Sequence, residues 1–156
     1  MTSLLLLYGA DIKRSCNSFC CALFYAIWKN RPEIARLLLE EYGASSSIPI
    51  GSPRISTALH ILVVSKLTDT YIIDLLFNSG IDLDANDTSG WVALHCAAME
   101  GNKAVAKKLI ESGANKGLRT NKGHTALDIA RSFEQNEVRR LLGDKRSWLR
   151  KQFEMF

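Results

Sequence analysis

The sequence contains no apolar run long enough to span a membrane. Residues 4–7 are four leucines, whereas a bilayer-spanning helix needs roughly 20 apolar residues. These leucines have neither a basic flank nor a cleavage site, so they do not have the features of a secretory signal peptide. We therefore expect a protein without a transmembrane segment.

Cysteine and histidine are scarce, with 4 and 3 residues respectively. Cys16, Cys20 and Cys21 have no histidine nearby and lack the paired C-x2-C spacing of a zinc site. Cys96 lies in a predicted helix and is interpreted as a small buried apolar residue. Reduced thiols are typical of a reducing compartment. We therefore place the protein in the cytoplasm, with the nucleus as the alternative, and expect no metal.

The sequence also has none of the residue patterns that common catalytic sites need. It has no glycine-rich phosphate loop, no nucleophile beside a plausible base and no paired carboxylates on a common face. Residues 82–87 have aspartate at every second position at first, as a calcium-binding EF-hand loop does. The glycine and the glutamate that complete the EF-hand pattern are missing. We expect neither an enzyme nor a bound cofactor.

Charge of one sign is not in strong excess, since 20 basic residues stand against 16 acidic ones and give a net charge of +4. Nucleic-acid binding generally needs a dense basic stripe. Only residues 145–156 approach such a density. No nucleic-acid partner is therefore expected.

What the sequence does contain is most visible in residues 91–123. Two short helix-forming runs, 92–100 and 103–112, are separated by Gly101-Asn102, and Gly113 ends the second. Isolated helices shorter than roughly 12–15 residues are marginal in water. Each run therefore needs neighbours to hold its shape.

Two landmarks of this stretch recur along the chain. An anchor leucine recurs at separations of 36, 35 and 33 residues, and the glycine after the second run recurs at separations of 34, 37 and 33 residues. Because both landmarks have nearly the same period, the sequence predicts a repeat array. The leucines are Leu23, Leu59, Leu94 and Leu127, and the glycines are Gly9, Gly43, Gly80 and Gly113.

Segments 57–62 (TALHIL) and 92–97 (VALHCA) resemble the ankyrin signature T-P-L-H-x-A, and the period agrees with that repeat. The resemblance implies an all-α fold, an ankyrin-repeat solenoid of helix–turn–helix units with hairpin-like finger loops. The expected array covers residues 1–144. It consists of a partial repeat at 1–17, full repeats at about 18–54, 55–90 and 91–123, and a closing repeat at 124–144.

The signatures depart from the family at several positions. Alanine replaces proline in all four (Ala22, Ala58, Ala93 and Ala126). Cys21 and Val92 replace the threonine, and Val92 has no oxygen with which to cap a helix. Phe24 and Asp128 replace the histidine. We expect the repeats with these changes to be locally weaker.

The resemblance also implies the roles of several residues. In ankyrin repeats the threonine and histidine of the signature form hydrogen bonds within and between repeats, so Thr57, His60 and His95 are expected to be structural. The fingers and the concave surface of the first helices are expected to bind a partner protein, and the protein itself is expected to be a monomer. The candidate contact residues are Trp91, Met99, Glu100, Thr88, Ser89, Asn121, Lys122, His124 and Phe133, with Trp28 and Lys29 added from an earlier repeat.

Two alternatives remain open. The array could be the regulatory or targeting domain of a larger enzyme or channel. Residues 145–156 could be a basic amphipathic helix that either caps the array or contacts a membrane surface weakly, because an apolar stripe there lies beside basic residues.

Overall fold

The structure, a computed structural model, describes residues 23, 25–40, 57–64 and 70–144. The predicted partial repeat 1–17 and the tail 145–156 lie outside the described residues. The predictions for these segments stay predictions.

The described residues form helical pairs, as the all-α prediction requires. The seven helices are α1 Pro32–Glu40, α2 Ala58–Val64, α3 Thr70–Asn78, α4 Ala93–Glu100, α5 Lys103–Glu111, α6 Ala126–Ser132 and α7 Asn136–Leu141. Residues 25–28 are also helical. Within this part of the chain, β-pairing is limited to one antiparallel bridge, Arg119 to Thr125. The ankyrin-type solenoid is therefore confirmed.

First helices stack on first helices. Helix α4 packs against α2 on one side and α6 on the other, and each first helix also packs against the second helix of its own repeat. Among the second helices, α1 contacts α3 and α5 contacts α7. The stack buries the apolar surface that a single short helix pair would expose to water. Each repeat therefore depends on its neighbours for stability.

Three of the four anchor leucines lie in the core. Leu23, Leu59 and Leu94 are at most 2% exposed. Leu127, in the last described repeat, is half-buried, and of the described helices only α4 and α7 make extensive contacts with α6. The period read from the sequence is therefore the period of the core.

The turn between the two helices of a repeat has the same backbone conformation three times. Its left-handed residue is Asn30 (φ 49°), Gly101 (φ 69°) or Glu134 (φ 56°). In each case the next residue donates its N–H to the carbonyl five positions earlier, at 2.7–3.1 Å. Only one of the three positions uses glycine, so the turn is maintained by these hydrogen bonds and by packing rather than by residue type.

A buried carboxylate ends the described part of the array. The side chain of Asp144 is fully buried, and its oxygens lie 2.9 Å from Arg131 Nη2 and 3.0 Å from Arg139 Nε. Paired guanidinium groups are what a buried carboxylate needs, because an unpaired charge in the interior is strongly unfavourable. This cluster ties the end of α7 back to α6.

Candidate protein-interaction surface

The first structural element of the surface is the link from His60 to the next repeat. His60 Nε2 lies 3.0 Å from the carbonyl oxygen of Trp91, and Nδ1 lies 2.8 Å from Thr57 Oγ1. A carbonyl can only accept, so Nε2 carries the proton, and Nδ1 accepts from the Thr57 hydroxyl. The geometry agrees with the structural role expected of Thr57 and His60.

His95 repeats this link one unit further on, with a different partner. Its Nε2 donates to the carbonyl of Leu118 at 3.1 Å, while its Nδ1 accepts from the backbone N–H of Val92 at 3.0 Å. Val92 makes no side-chain cap. The backbone amide therefore replaces the hydroxyl that valine lacks, and the inter-repeat bond is kept.

Asp128 replaces the signature histidine in a similar way. Its carboxylate accepts from both the N–H and the hydroxyl of Thr125, at 3.0 and 2.7 Å, and its own N–H donates back to that hydroxyl at 3.3 Å. This reciprocal arrangement caps α6. The bonds from Thr125 hold the pKa of Asp128 below its usual value.

The finger before α4 is shaped by one aspartate. Asp87 Oδ1 accepts from the N–H groups of Ser89 and Trp91, both at 2.8 Å. The N–H of Gly90 donates to the Asp87 carbonyl at 3.0 Å, and Gly90 has φ 73°. These three bonds close a tight turn between Asp87 and Trp91.

Neighbouring fingers are joined by Asn121. Its N–H donates to the carbonyl of Ser89 at 3.0 Å, and its side-chain amide donates to the carbonyl of Thr88 at 3.1 Å. Three candidate contact residues are thus brought together, but the amide of Asn121 serves the finger link. Sequence reasoning missed this role, for which the only signal is that residues 88 and 121 are one repeat apart.

This finger contact leads to a prediction at Gly90. A Cβ added there would lie 2.8 Å from the backbone nitrogen of Asn121, and φ is positive. Gly90→Ala is therefore expected to lower the free energy of unfolding by about 2–5 kcal/mol, the sum of left-handed strain and overpacking. Urea denaturation followed by circular dichroism measures this.

Gly123 is the matched control, because it has φ 80° and nothing within 4 Å of an added Cβ. Gly123→Ala should show only the conformational cost of about 1–2 kcal/mol. Equal losses at the two positions would contradict the close approach of the fingers.

Trp91 is less exposed than a candidate contact residue on the surface would be. It is half-buried and packs against the core. Its ring meets that of His95 edge-on, with centroids 6.0 Å apart and an interplanar angle of 64°. The residue therefore supports the structure and still presents part of its indole at the surface.

The remaining candidates fall at two ends of the first helices. Lys122 and His124 are exposed in the finger before α6, whereas Phe133 is 53% exposed just after α6. A seven-residue helix separates the two ends by about 10 Å. We name the first set the finger group (Thr88, Ser89, Trp91, Asn121, Lys122 and His124) and the second the helix-end group (Met99, Glu100, Phe133, Trp28 and Lys29).

Within the helix-end group, Met99 and Glu100 are half-buried, whereas Trp28 and Lys29 are exposed. The carbonyl of Met99 accepts a bond from the side-chain amide of Gln135 at 3.2 Å, which crosses from the following repeat. This bond fixes the end of α4 by its backbone and leaves the Met99 side chain partly accessible.

Two features of the described residues bear on chemistry, the possible metal ligands and the buried thiol of Cys96. Among the described residues no group of three or more His, Cys, Asp or Glu side chains could hold a metal ion. Burial, together with the charges of Asp87 and Glu100, raises the pKa of Cys96 to about 12. A thiol in this state is a poor nucleophile at neutral pH.

No helix in the described ranges is long and apolar enough to cross a membrane.

A family model for ankyrin repeats (three copies) matches residues 55–150, which is more than half of the chain. This chain belongs to the ankyrin-repeat family. Ankyrin repeats are in general protein-interaction modules and typically have no catalytic activity. Helices α2 to α7 lie within the matched residues.

Three curated relatives illustrate the range of proteins that carry similar repeats. A calmodulin-binding transcription activator of Oryza sativa subsp. japonica is 40% identical over 79 residues, which are 47% of this chain and 8% of the relative. The human ankyrin repeat domain-containing protein 40 is 31% identical over 80 residues, or 51% of this chain and 21% of the relative. The protein phosphatase 1 regulatory subunit 12A of Mus musculus is 33% identical over 74 residues, or 47% and 7%.

Proposed function

We propose that this ankyrin array binds another protein through the finger group and the helix-end group. The observation that supports this most is that one set of groups fixes the backbone of the surface, while a different set of side chains is left exposed to bind. The fingers are fixed by the buried rings of His60 and His95 and by the half-buried carboxylate of Asp87, and all three bond to backbone groups. Exposed side chains such as Lys122 and Phe133 project from this framework.

A framework of this kind suits recognition for a physical reason. Binding costs less when the interface is ordered in advance, because fewer side chains and loops lose freedom on association. Large aromatic side chains contribute most to such interfaces. Trp91 and the exposed Trp28 and Phe133 are therefore the proposed anchors.

The test is photo-crosslinking from a benzophenone amino acid placed at single positions. Phe133 and Tyr71 are matched sites, since both are exposed aromatic residues (53% and 46%), but Phe133 follows a first helix and Tyr71 lies in the second helix α3. A partner protein should be captured from position 133. Capture from position 71 alone would contradict the proposed surface.

With that partner purified, Trp91→Ala is expected to weaken binding by about 2 kcal/mol, or roughly 30-fold, because a truncated aromatic anchor leaves its pocket unfilled. Isothermal titration calorimetry measures the change. Tyr71→Ala is the control and should stay within about twofold. Because Trp91 also packs against the core, a thermal melt must show that the variant is folded at the temperature used. Unchanged affinity in the folded variant would remove Trp91 from the interface.

A second candidate function is a regulatory or targeting domain of a larger enzyme or channel. The name of one relative, a phosphatase regulatory subunit, favours this reading, and the chain spans 7–21% of the three relatives compared. In that case the photo-crosslink from position 133, made in the protein encoded by the full open reading frame, should lie within the same polypeptide. The cytoplasmic location and the monomeric state are further parts of the proposal.

A further inference from the structure

Two successive fingers carry opposite charge. Residues 81–90 contain Asp82, Asp84 and Asp87 and no basic residue, and we call this segment the acidic finger. Residues 115–124 contain Lys116, Arg119 and Lys122 and no acidic residue, and we call this segment the basic finger. The chain as a whole is nearly balanced, so this separation of charge is local.

The stacking of the repeats holds these two fingers side by side. The N–H of Asn121 bonds to Ser89 at 3.0 Å, and the N–H of Asn115 bonds to Asp84 Oδ1 at 3.0 Å. The fingers therefore touch at two points. At these points the distance between the fingers is well below the Debye length of about 8 Å at physiological salt. The charges of one finger therefore attract or repel a charged partner that is bound to the other.

The cations of the basic finger point to an external partner. Lys116 and Lys122 are exposed and form no ion pair with any described residue. Arg119 is also exposed, and its guanidinium donates to the carbonyl of Gly123 at 2.7 Å. By contrast, Lys103 and Lys108 on helix α5 are neutralised across repeats by Glu137 and Asp74.

We propose that the basic finger binds an acidic segment of the partner protein, and that the acidic finger beside it excludes extended polyanions. This inference rests on the proposed function, since it names the chemistry of the partner at the same surface. A protein segment with a few clustered carboxylates can match the basic finger alone. Duplex DNA carries a charge every 1.7 Å or so, and an anionic membrane is a continuous sheet, so both would also meet the three aspartates.

The test compares three anionic probes on the whole chain: a hexaglutamate peptide, a 20-base-pair DNA duplex and phosphatidylserine vesicles. Backbone amide NMR shifts report where each binds, and titrations at low and physiological salt report affinity. Hexaglutamate should shift residues 115–124 and bind more tightly than the DNA or the vesicles. Tighter binding of DNA or vesicles to those residues would overturn the proposal.

Two variants distinguish binding at the basic finger from a general effect of net charge. Lys122→Glu should weaken hexaglutamate binding about tenfold at low salt. Lys107→Glu makes the same change of net charge on α5, at an exposed lysine that lies 3.7 Å from Glu111 Oε1, and should leave affinity within about twofold. Equal losses would show that only net charge matters, and would overturn the assignment to the basic finger.

The acidic finger is tested by Asp82→Asn, which keeps the shape of an exposed side chain. DNA affinity should rise severalfold, because one of the repelling charges is gone. No rise would overturn the exclusion. If photo-crosslinking from position 133 still captures a partner while the hexaglutamate result fails, the charge inference alone is wrong. If both fail, the proposed function is wrong as well.

Discussion

Leu94→Ala is expected to lower the free energy of unfolding by about 2–5 kcal/mol. The side chain is 1% exposed in the middle of the stack, where α4 is covered by α2 on one side and α6 on the other. Truncation there leaves a cavity that packed neighbours on both sides cannot fill. In a linear array the loss also weakens the coupling between adjacent repeats. Urea denaturation followed by circular dichroism is the measurement.

Leu127→Ala is the matched control, since it makes the same chemical change at the same position of another repeat. Leu127 is half-buried, so the expected loss is smaller, about 1–2 kcal/mol. Equal losses at the two positions would contradict the difference in burial between Leu94 and Leu127, and a loss below 1 kcal/mol at Leu94 would contradict its place in the core. The comparison needs no assumption about the partner.

The period of the leucines was enough to predict the repeat, because three of the four copies bury the leucine fully and only Leu127 is half-buried. Leu23, Leu59 and Leu94 could therefore be assigned to the core from spacing alone. The runs predicted at 92–100 and 103–112 likewise correspond to helices α4 and α5. These features are local, and a local sequence pattern determines them.

Features that depend on contacts between repeats could not be predicted in this way. The amide of Asn121 bonds to the finger before it, and that of Gln135 bonds to Met99 of the preceding repeat. Neither residue belongs to the signature. The burial of Trp91 likewise depends on the neighbouring His95 ring and core. The charges of the two fingers can be counted in the sequence, but their contact is seen only once the repeats are stacked.

The two histidine links make the array sensitive to acid. Burial lowers the pKa of both His60 and His95, and the charge of Asp87 opposes this only in part. The charge of His60 lowers the pKa of His95 further. Below pH 6.5 the unfolded chain therefore binds protons that the folded chain does not bind. The two histidines do not lower the free energy of unfolding above about pH 6.5. Below that pH the free energy of unfolding falls, by at most about 1.4 kcal/mol per pH unit for each histidine.

The other groups with shifted pKa values change the free energy of unfolding in pH ranges different from that of the two histidines. The pKa values of Asp128 and Glu137 are lowered from 3.8 and 4.5, the first by bonds from Thr125 and the second by the bond from Lys103. Their contributions are lost only as pH falls below about 4.5. Cys96, with its pKa raised to about 12 from 9.0, reduces stability only as pH rises above about 9. The interval from pH 6.5 to 5 therefore reports mainly on the histidines.

His95 is expected to contribute the larger share of this acid sensitivity. When its ring is protonated, Nδ1 becomes a donor that faces the N–H of Val92, and a backbone amide cannot reverse its role. The hydroxyl of Thr57 can rotate and accept from a protonated His60. Two opposed donors in a buried site lose the bond and leave both groups unsatisfied.

The expected result is that His95→Gln removes more than half of the slope of unfolding free energy against pH between 6.5 and 5, and that His60→Gln removes less. Urea denaturation at several pH values gives these slopes, which do not depend on how much each substitution lowers stability overall. Histidine NMR titrations of the wild-type chain provide an independent check, since both ring pKa values should lie below 6.5. Equal slopes in the two variants would mean that burial alone, and not the donor at residue 92, controls the response to acid.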